Sequence, residues 1–333
     1  MRKIVLKFGD RGTLVSILQS KLGLKKTTLF FGNTTKGLVE QWQKKNGLAV
    51  TGEVDLDMLD RLGIENPEKY LSTDVSNQSK AVVKEAVSNA TAAPTAATMV
   101  KLLSSEEYFQ QKQNKFWIVL HHTAGGHNPT AVVSGWENDT RGRIATEFII
   151  GNKSTSRKDN SWDGVVVKCM PDGSWAYHLG DNGNSKLHPQ SIGIEICNYG
   201  WVTKGGYKQK GKWVAGDANK FYTYVGSTIP EDQVVDLGYD WRGYRFWHKY
   251  TDAQISSLRS LIIAIARANP QIDIKQGLQV WLATESSASA FGFKESAYNG
   301  STKGIITHGN IRKDKTDCSP QPNLVDMIKN LRV

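Results

Sequence analysis

Four short apolar segments constrain the fold of this chain more than any other feature of its sequence. They are residues 116–120, 146–150, 164–169 and 191–197. Each has the length and composition of a buried strand. An amphipathic helix capped by Thr251 is expected at 251–268, and a closing helix is expected at 323–331. We therefore predict an α/β fold with a mixed central sheet flanked by helices.

The first part of the chain follows a different pattern, which predicts a small all-α domain of three helices. Leu14, Leu18 and Leu22 are spaced four apart and mark one face of the first helix. Further helices are expected at 34–46 and 55–62, each followed by a glycine that stops it.

The composition changes between these two patterns. Serine, threonine, alanine and asparagine dominate after residue 70, and residues 89–97 form a low-complexity stretch that is typical of a linker. A chain of 333 residues is also long enough for two domains. We predict a three-helix domain at 1–70, a linker at 71–110 and the α/β domain at 111–333.

The net charge of +10 favours an anionic partner. The basic residues are scattered and form no recognition helix or aromatic-basic RNA motif, so we expect no nucleic-acid binding. No apolar run approaches eighteen residues, so we expect no membrane insertion. Three cysteines without a CxxC spacing argue against a disulfide framework and against a four-cysteine zinc site.

Two separate segments carry residues that bind metals. His121 and His122 directly follow the first predicted strand, and a later segment contains His308, Asp317 and Cys318. Two histidines with one anionic oxygen or sulfur make a catalytic zinc site that leaves a fourth position open for water. Read alone, the first segment could equally cap a turn, and the second is better explained as a charged surface loop.

A carboxylate interrupts the fourth predicted strand. Glu195 lies inside an otherwise apolar run, and burying a charged group is costly unless it is paired or functional. Burial raises the pKa of such a carboxyl, whereas a nearby dication lowers it. We predict a catalytic role for Glu195.

Together these segments resemble the amidase-2 family of N-acetylmuramoyl-L-alanine amidases, which is also similar to the peptidoglycan-recognition proteins. The resemblance spans residues 115–330 and includes the runs SIGIE, ending at Glu195, and KTD, ending at Asp317. It implies a Zn²⁺ ion bound by His121, His308 and Asp317. Cys318 is a rival third ligand, but the register of the KTD run favours Asp317.

The same resemblance implies further site residues. Glu195 matches the catalytic carboxylate and Lys315 matches the lysine beside the developing oxyanion. His178, in the run AYHLG, is placed at the rim of the site. Thr146 stands where another branch of the family has a catalytic tyrosine, and its pairing with Glu195 fits the branch that uses glutamate. We expect His178 and Thr146 to contact substrate, with a structural hydrogen bond as an equal alternative for His178.

Residues 4–64 resemble the three-helix peptidoglycan-binding domain of many wall hydrolases. The resemblance rests on the order and spacing of short runs rather than on single residues. Those runs are Leu6–Gly12, Leu18-Gln19, Phe31–Thr35, Gln41–Gln43, Gly47-Leu48 and Thr51–Val54.

The two resemblances imply an enzyme that hydrolyses the amide bond between N-acetylmuramic acid and L-alanine and so lyses the cell wall. Its partner would be bacterial peptidoglycan, and we expect it to be a monomer. The alternative is a non-catalytic recognition module, which the filled ligand positions disfavour. Residues 1–10 have too short an apolar run for a signal peptide. We therefore expect synthesis in the cytoplasm and action on the wall after release, as is typical of phage endolysins.

Residues 200–250 fit none of these patterns, because glycine, tryptophan and tyrosine are frequent there. Exposed aromatic rings stack well on sugar rings, so this insertion could line a glycan groove. The alternative is a satellite core packed against the sheet, which we favour for most of these side chains.

Overall fold

The computed structural model describes residues 4–64 except 9, 11, 26, 28 and 29, and then residues 98–180 and 186–332. The chain divides into two compact units, Met1–Ala92 and Ala93–Val333. Most of the expected linker, residues 71–97, lies outside the described residues.

The amino-terminal unit contains the three predicted helices and a short sheet that the sequence did not predict. Within its described residues the helices are α1 (Thr13–Lys21), α2 (Asn33–Lys45) and α3 (Leu56–Arg61). Strand β1 (Ile4–Leu6) pairs antiparallel with β2 (Val54–Asp55). Strands of three and two residues are too short to show an alternating pattern in the sequence.

Buried glutamines hold the loops of this unit. The Gln43 carboxamide accepts hydrogen bonds from the amides of Thr51 and Gly52, both at 3.0 Å, and donates one to Glu53 O at 2.7 Å. Because all of these polar groups are satisfied, the loop before β2 stays attached to α2 without a cost for burial. The apolar core beneath it includes Leu14, Leu18, Phe31, Val39 and Leu59.

The second unit is built on a mixed sheet of six strands, counted over the described residues. These are β3 (Thr98–Val100), β4 (Trp117–His122), β5 (Phe148–Ile150), β6 (Val166–Lys168), β7 (Ser191–Ile196) and β15 (Gly304–Thr307). Their order is β15-β4-β7-β5-β6-β3, and the four strands from β15 to β5 are parallel. Both faces are covered, which explains why the predicted strands read as continuous apolar runs.

Residues 98–110 correct the predicted domain boundary. We assigned them to the linker, but β3 pairs with β6 at the edge of the sheet, and Leu103 and Tyr108 are buried in its core. The sequence hid this role because β3 has only three residues, too few to show a strand pattern. The second unit therefore begins before residue 98.

Helices cover the two faces of the sheet and confirm the predicted fold class. They are α4 (Pro129–Glu137), α5 (Leu187–Gln190), α6 (Asp252–Ala268), α7 (Leu278–Thr284), α8 (Ser287–Ala290), α9 (Glu295–Tyr298), α10 (His308–Ile311) and α11 (Pro322–Lys329). Helix α6 begins with a capping box formed by Thr251 and Gln254 and packs its apolar stripe on one face. Among the described helices, none has the length and apolarity needed to cross a membrane.

The insertion that resisted sequence analysis is a second sheet of five antiparallel strands. These are β8 (Trp201–Lys204), β11 (Phe221–Thr223), β12 (Thr228–Ile229), β13 (Val234–Trp241) and β14 (Tyr244–His248), in the order β12-β11-β8-β14-β13. A separate hairpin joins β9 (Gly206–Gln209) to β10 (Lys212–Ala215). Trp241 and Trp247 join the main core, whereas Val202, Phe221 and Ile229 form the satellite core.

Candidate functional site

Three side-chain atoms meet beyond the carboxyl ends of the central strands. His121 Nδ1 lies 3.2 Å from His308 Nδ1, and each of these nitrogens lies 3.1 Å from Asp317 Oδ2. All three residues are buried, and together they form a group that could hold a metal ion. The structure thus brings together the ligands that the two sequence segments suggested.

The topology explains why residues 187 positions apart become neighbours. His121 lies near the end of β4, and His308 follows β15, which runs parallel beside β4. The carboxyl ends of adjacent parallel strands lie at the same edge of a sheet. His308 begins α10, whose capping box is formed by Thr307 and Asn310, so the imidazole is fixed at the point where strand becomes helix.

Hydrogen bonds assign the tautomer of His121. The Ser191 hydroxyl donates to Leu187 O at 2.5 Å, so Ser191 Oγ accepts from His178 Nε2 at 2.9 Å. His178 Nδ1 then carries no proton and accepts from His121 Nε2 at 3.0 Å. In the neutral ring this leaves a lone pair on His121 Nδ1.

His308 has the same tautomer for a simpler reason. Its Nε2 lies 3.1 Å from Leu179 O, which can only accept a hydrogen bond, so Nδ1 carries the lone pair. Burial lowers the pKa of His121 to about 4, against the opposing effect of Asp317, so this imidazole is neutral at pH 7. With both rings neutral, two imidazole lone pairs and a carboxylate oxygen face one another.

This arrangement fits a small cation. Three acceptors about 3 Å apart repel one another unless a positive charge lies between them. Ligand atoms at about 2.1 Å from a tetrahedral zinc ion are separated by about 3.4 Å, close to the distances of 3.1 and 3.2 Å between these atoms. Burial opposes ionisation of Asp317, but the two histidines outweigh it and hold its pKa well below the usual range.

Glu195 lies beside this group on the neighbouring strand. It stands opposite His121 in the parallel pairing of β4 with β7, and its side chain is on the same face of the sheet. Among the described residues its buried Oε2 has no hydrogen-bond partner. Burial and the charge of Asp317 raise the pKa of Glu195 well above its ordinary value, and the charge of Lys315 partly opposes this. Such a carboxyl is suited to exchanging protons near neutral pH.

His178 and Thr146 occupy positions that the sequence did not reveal. His178 contacts His121 Nε2, the ring nitrogen that does not face Asp317. The Thr146 hydroxyl donates to Phe148 O at 3.0 Å, and its methyl group lies against Gly193. A side chain at Gly193 would collide with both Thr146 and His178. The expected contacts of His178 and Thr146 with substrate stay predictions.

Cys318 lies away from the group of ligand atoms. It is fully buried in the main core and forms a hydrogen bond with the Tyr250 side chain, and its thiol is free like those of Cys169 and Cys197. Burial raises its pKa well above the ordinary value of a thiol, which opposes the thiolate form that metals bind.

Sequence reasoning missed the residues that support the segment carrying Asp317. Tyr250 Oη lies 3.2 Å from His122 Nδ1 and accepts a hydrogen bond from the Ser319 amide. Arg242, in the turn between β13 and β14, donates to Gly309 O at 2.9 Å and to Lys313 O. No motif marks these supports, because they act through backbone atoms that are distant in sequence.

A model of the N-acetylmuramoyl-L-alanine amidase family matches residues 111–321. The chain belongs to this family. A model of a peptidoglycan binding domain matches residues 11–62, which identifies the amino-terminal unit. The chain is therefore a peptidoglycan amidase with a peptidoglycan-binding domain, as the two resemblances implied.

Several solved structures are similar to part of this chain. PlyL is 10% identical with a TM-score of 0.38 and covers 72% of this chain and 100% of its own. A mutant endolysin from Bacillus subtilis is 14% identical with a TM-score of 0.35 and covers 71% and 97%. The amidase AmiD of E. coli, solved with a muramyl-peptide substrate, is 13% identical with a TM-score of 0.28 and covers 66% and 82%. No curated protein matches the chain.

Proposed function

We propose that this amidase is zinc-dependent and hydrolyses the bond between N-acetylmuramic acid and L-alanine. The observation that supports it most is the convergence of two imidazole lone pairs and a carboxylate oxygen on one buried point. The residues that would hold the ion are His121, His308 and Asp317. A set of two nitrogens and one oxygen suits zinc better than calcium or magnesium, which prefer oxygen ligands.

A zinc ion bound there would supply Lewis acidity and lower the pKa of an attacking water toward about 7. In the proposed reaction Glu195 accepts a proton from the attacking water, and the water oxygen forms a bond with the lactyl carbonyl carbon. Glu195 then gives the proton to the nitrogen of L-alanine as the carbon–nitrogen bond breaks. Its raised pKa and unpartnered Oε2 support both steps.

Lys315 is the proposed donor to the oxyanion that forms on the carbonyl oxygen. Its charge lowers the pKa of Glu195, which supports a role for the ammonium group near the reacting atoms. Removal of one such donor commonly reduces kcat by about 10²–10³-fold.

His178 is a positioning residue in this proposal. By accepting a hydrogen bond from His121 Nε2 it keeps the lone pair on Nδ1, and its own Nε2 is oriented by Ser191. Such partners of metal-binding histidines typically raise metal affinity by about 10–100-fold.

The amino-terminal unit is proposed to hold the enzyme on the wall while the second unit cuts. The family match at residues 11–62 supports this role. A monomer is sufficient for it, because all proposed catalytic residues come from one chain. Action on the cell wall and the absence of nucleic-acid binding belong to the same proposal.

The bond that is broken and its dependence on metal provide the first test. Purified peptidoglycan is digested with the full chain, and new amino-terminal alanine and new reducing sugar ends are measured separately. We expect alanine to appear, to stop after treatment with a chelator and to return when zinc is added. New reducing ends without alanine, or chelator-resistant release of alanine, would contradict the proposal. Wall binding without any release would support the non-catalytic alternative.

The identity of the third ligand provides a second test. Asp317→Ala should reduce bound zinc, measured by mass spectrometry of the purified protein, to a small fraction of one ion per chain. Cys318→Ala is the matched control, because it removes the adjacent donor and should leave zinc near stoichiometric. The reverse result would show that the thiol is the ligand.

A further inference from the structure

Three aromatic side chains of the inserted sheet form a cluster at one end of it. The rings of Trp201 and Tyr244 are stacked, with centroids 4.1 Å apart and planes 8° from parallel. The ring of Tyr224 lies 6.1 Å from Trp201 at an angle of 52°. Trp201 and Tyr244 are half-buried against the main core, whereas Tyr224 is 38% exposed.

This aromatic cluster belongs to the insertion that contacts both segments carrying the proposed ligands. Tyr224 Oη donates to Ala124 O at 2.7 Å, three residues beyond His121. From the other side, Arg242 donates to Gly309 O at 2.9 Å, and the amide of that glycine donates to Asp317 O. The inserted sheet is therefore held against the reactive end of the central sheet.

The contact at Ala124 also determines which part of Tyr224 is available. The hydroxyl is used by the Ala124 carbonyl, so a ligand would meet the ring. Ala124 has a φ of 47°, a left-handed conformation that is uncommon for alanine. A hydrogen bond from outside the loop helps to hold this strained residue, which makes the contact a built feature of the site.

The chemistry of the cluster matches one part of the substrate. Peptidoglycan combines neutral, N-acetylated sugars with stem peptides that carry carboxylates. Flat, uncharged rings pack against the C–H groups of a pyranose, whereas carboxylates need cations such as Lys315. Since the cut bond joins the two parts, one side of the reactive point must accept glycan.

We propose that Tyr224, Trp201 and Tyr244 form a saccharide-binding surface that holds sugar rings of the glycan strand next to the muramic acid being cut. This proposal rests on the proposed function, which supplies the identity of the substrate. It adds a preference for substrates with a longer glycan strand. It explains why the aromatic insertion is attached to both ligand-bearing segments.

Substrates of different glycan length provide the kinetic test. The full chain and its variants are assayed on a single-sugar muramoyl peptide and on a tetrasaccharide carrying the same peptide. Tyr224→Ala should lower kcat/KM on the tetrasaccharide about three- to tenfold more than kcat/KM on the single-sugar substrate. Tyr224→Phe keeps the ring but loses the hydrogen bond to Ala124 O, so it should retain the wild-type ratio of the two kcat/KM values.

Tyr239→Ala is the matched control, since Tyr239 is also 38% exposed and lies in the same sheet. It should leave both rates unchanged. An equal loss on both substrates in Tyr224→Ala, or the same loss in Tyr224→Phe, would overturn the proposal, because the hydrogen bond to the loop would then be responsible rather than a sugar contact.

A binding measurement separates this proposal from the proposed reaction. The metal-free full chain is titrated with peptide-free N-acetylglucosamine tetramer and followed by calorimetry. We expect Tyr224→Ala to weaken the measured binding by a similar factor while Tyr239→Ala does not. Equal binding by wild type and Tyr224→Ala would overturn the saccharide surface even if alanine release is confirmed. A difference would support the surface even if zinc dependence failed.

Discussion

The two halves of the candidate site are held in different ways. His121 and Glu195 project from adjacent parallel strands, whose backbone pairing places them opposite each other. Asp317 and Lys315 come from a segment without regular structure that follows α10, and this segment is held by bonds from Arg242 and Tyr250. The strand half is part of the sheet itself, whereas the loop half depends on contacts from the insertion and from the loop before α6.

This difference predicts which substitutions affect chemistry and which affect the stability of the site. A residue on a buried strand cannot move without breaking several backbone hydrogen bonds, so its replacement removes a function and leaves the geometry intact. A residue in a supported loop is displaced when its supports are removed. Three predictions follow this division from the largest expected effect to the smallest.

The largest effect is expected on the strand half, for Glu195→Gln. The amide has almost the same shape but cannot accept a proton, so release of amino-terminal alanine should fall by about 10²–10⁴-fold. In the wild type, the rate should increase with pH as Glu195 loses its proton, because burial and Asp317 raise its pKa. The variant should lack this increase.

The zinc content of the purified Glu195→Gln variant is the control measurement, since Glu195 is not a proposed ligand. Metal content should stay near one ion per chain. Alanine release at the wild-type rate would remove Glu195 from the mechanism, and loss of zinc would make it a ligand.

A smaller effect is expected for His178→Ala, which removes the partner of His121 behind the metal-facing side. Without it the proton of His121 is free to move to Nδ1, so zinc affinity should fall by about 10–100-fold, measured by competition with a chelating dye. His127→Ala is the matched control, because that histidine contacts Asp159 and does not belong to the group of ligand atoms. If His178→Ala binds zinc normally but raises KM, the residue contacts substrate, as the sequence predicted.

The smallest effect is expected for Arg242→Ala, which tests the loop half. Loss of its bonds to Gly309 O and Lys313 O should loosen the segment before Asp317 and weaken zinc binding by about three- to tenfold. Arg245→Ala is the control, because Arg245 lies in the same hairpin but pairs with the exposed Asp236. Equal zinc affinity in wild type and Arg242→Ala would show that the loop half needs no support from the insertion.

The sequence predicted the strand half of the site well because strands have a local signature. The apolar runs before His121 and around Glu195 marked buried strands, and a charged residue in such a run is recognisable without a structure. The boundary near residue 110 was wrong for the opposite reason, since the edge strand β3 has only three residues and is too short to carry such a signature.

By itself the sequence determined the two folded units, the α/β class, the main strands and helices, and the types of residue that carry the chemistry. These depend on local periodicity and on the chemical nature of side chains. Only the tertiary structure decided that His178 lies behind His121, that Cys318 faces the core, and that the insertion forms a sheet attached to both ligand segments. Those facts depend on contacts between residues tens to hundreds of positions apart, which leave no pattern in any single stretch of sequence.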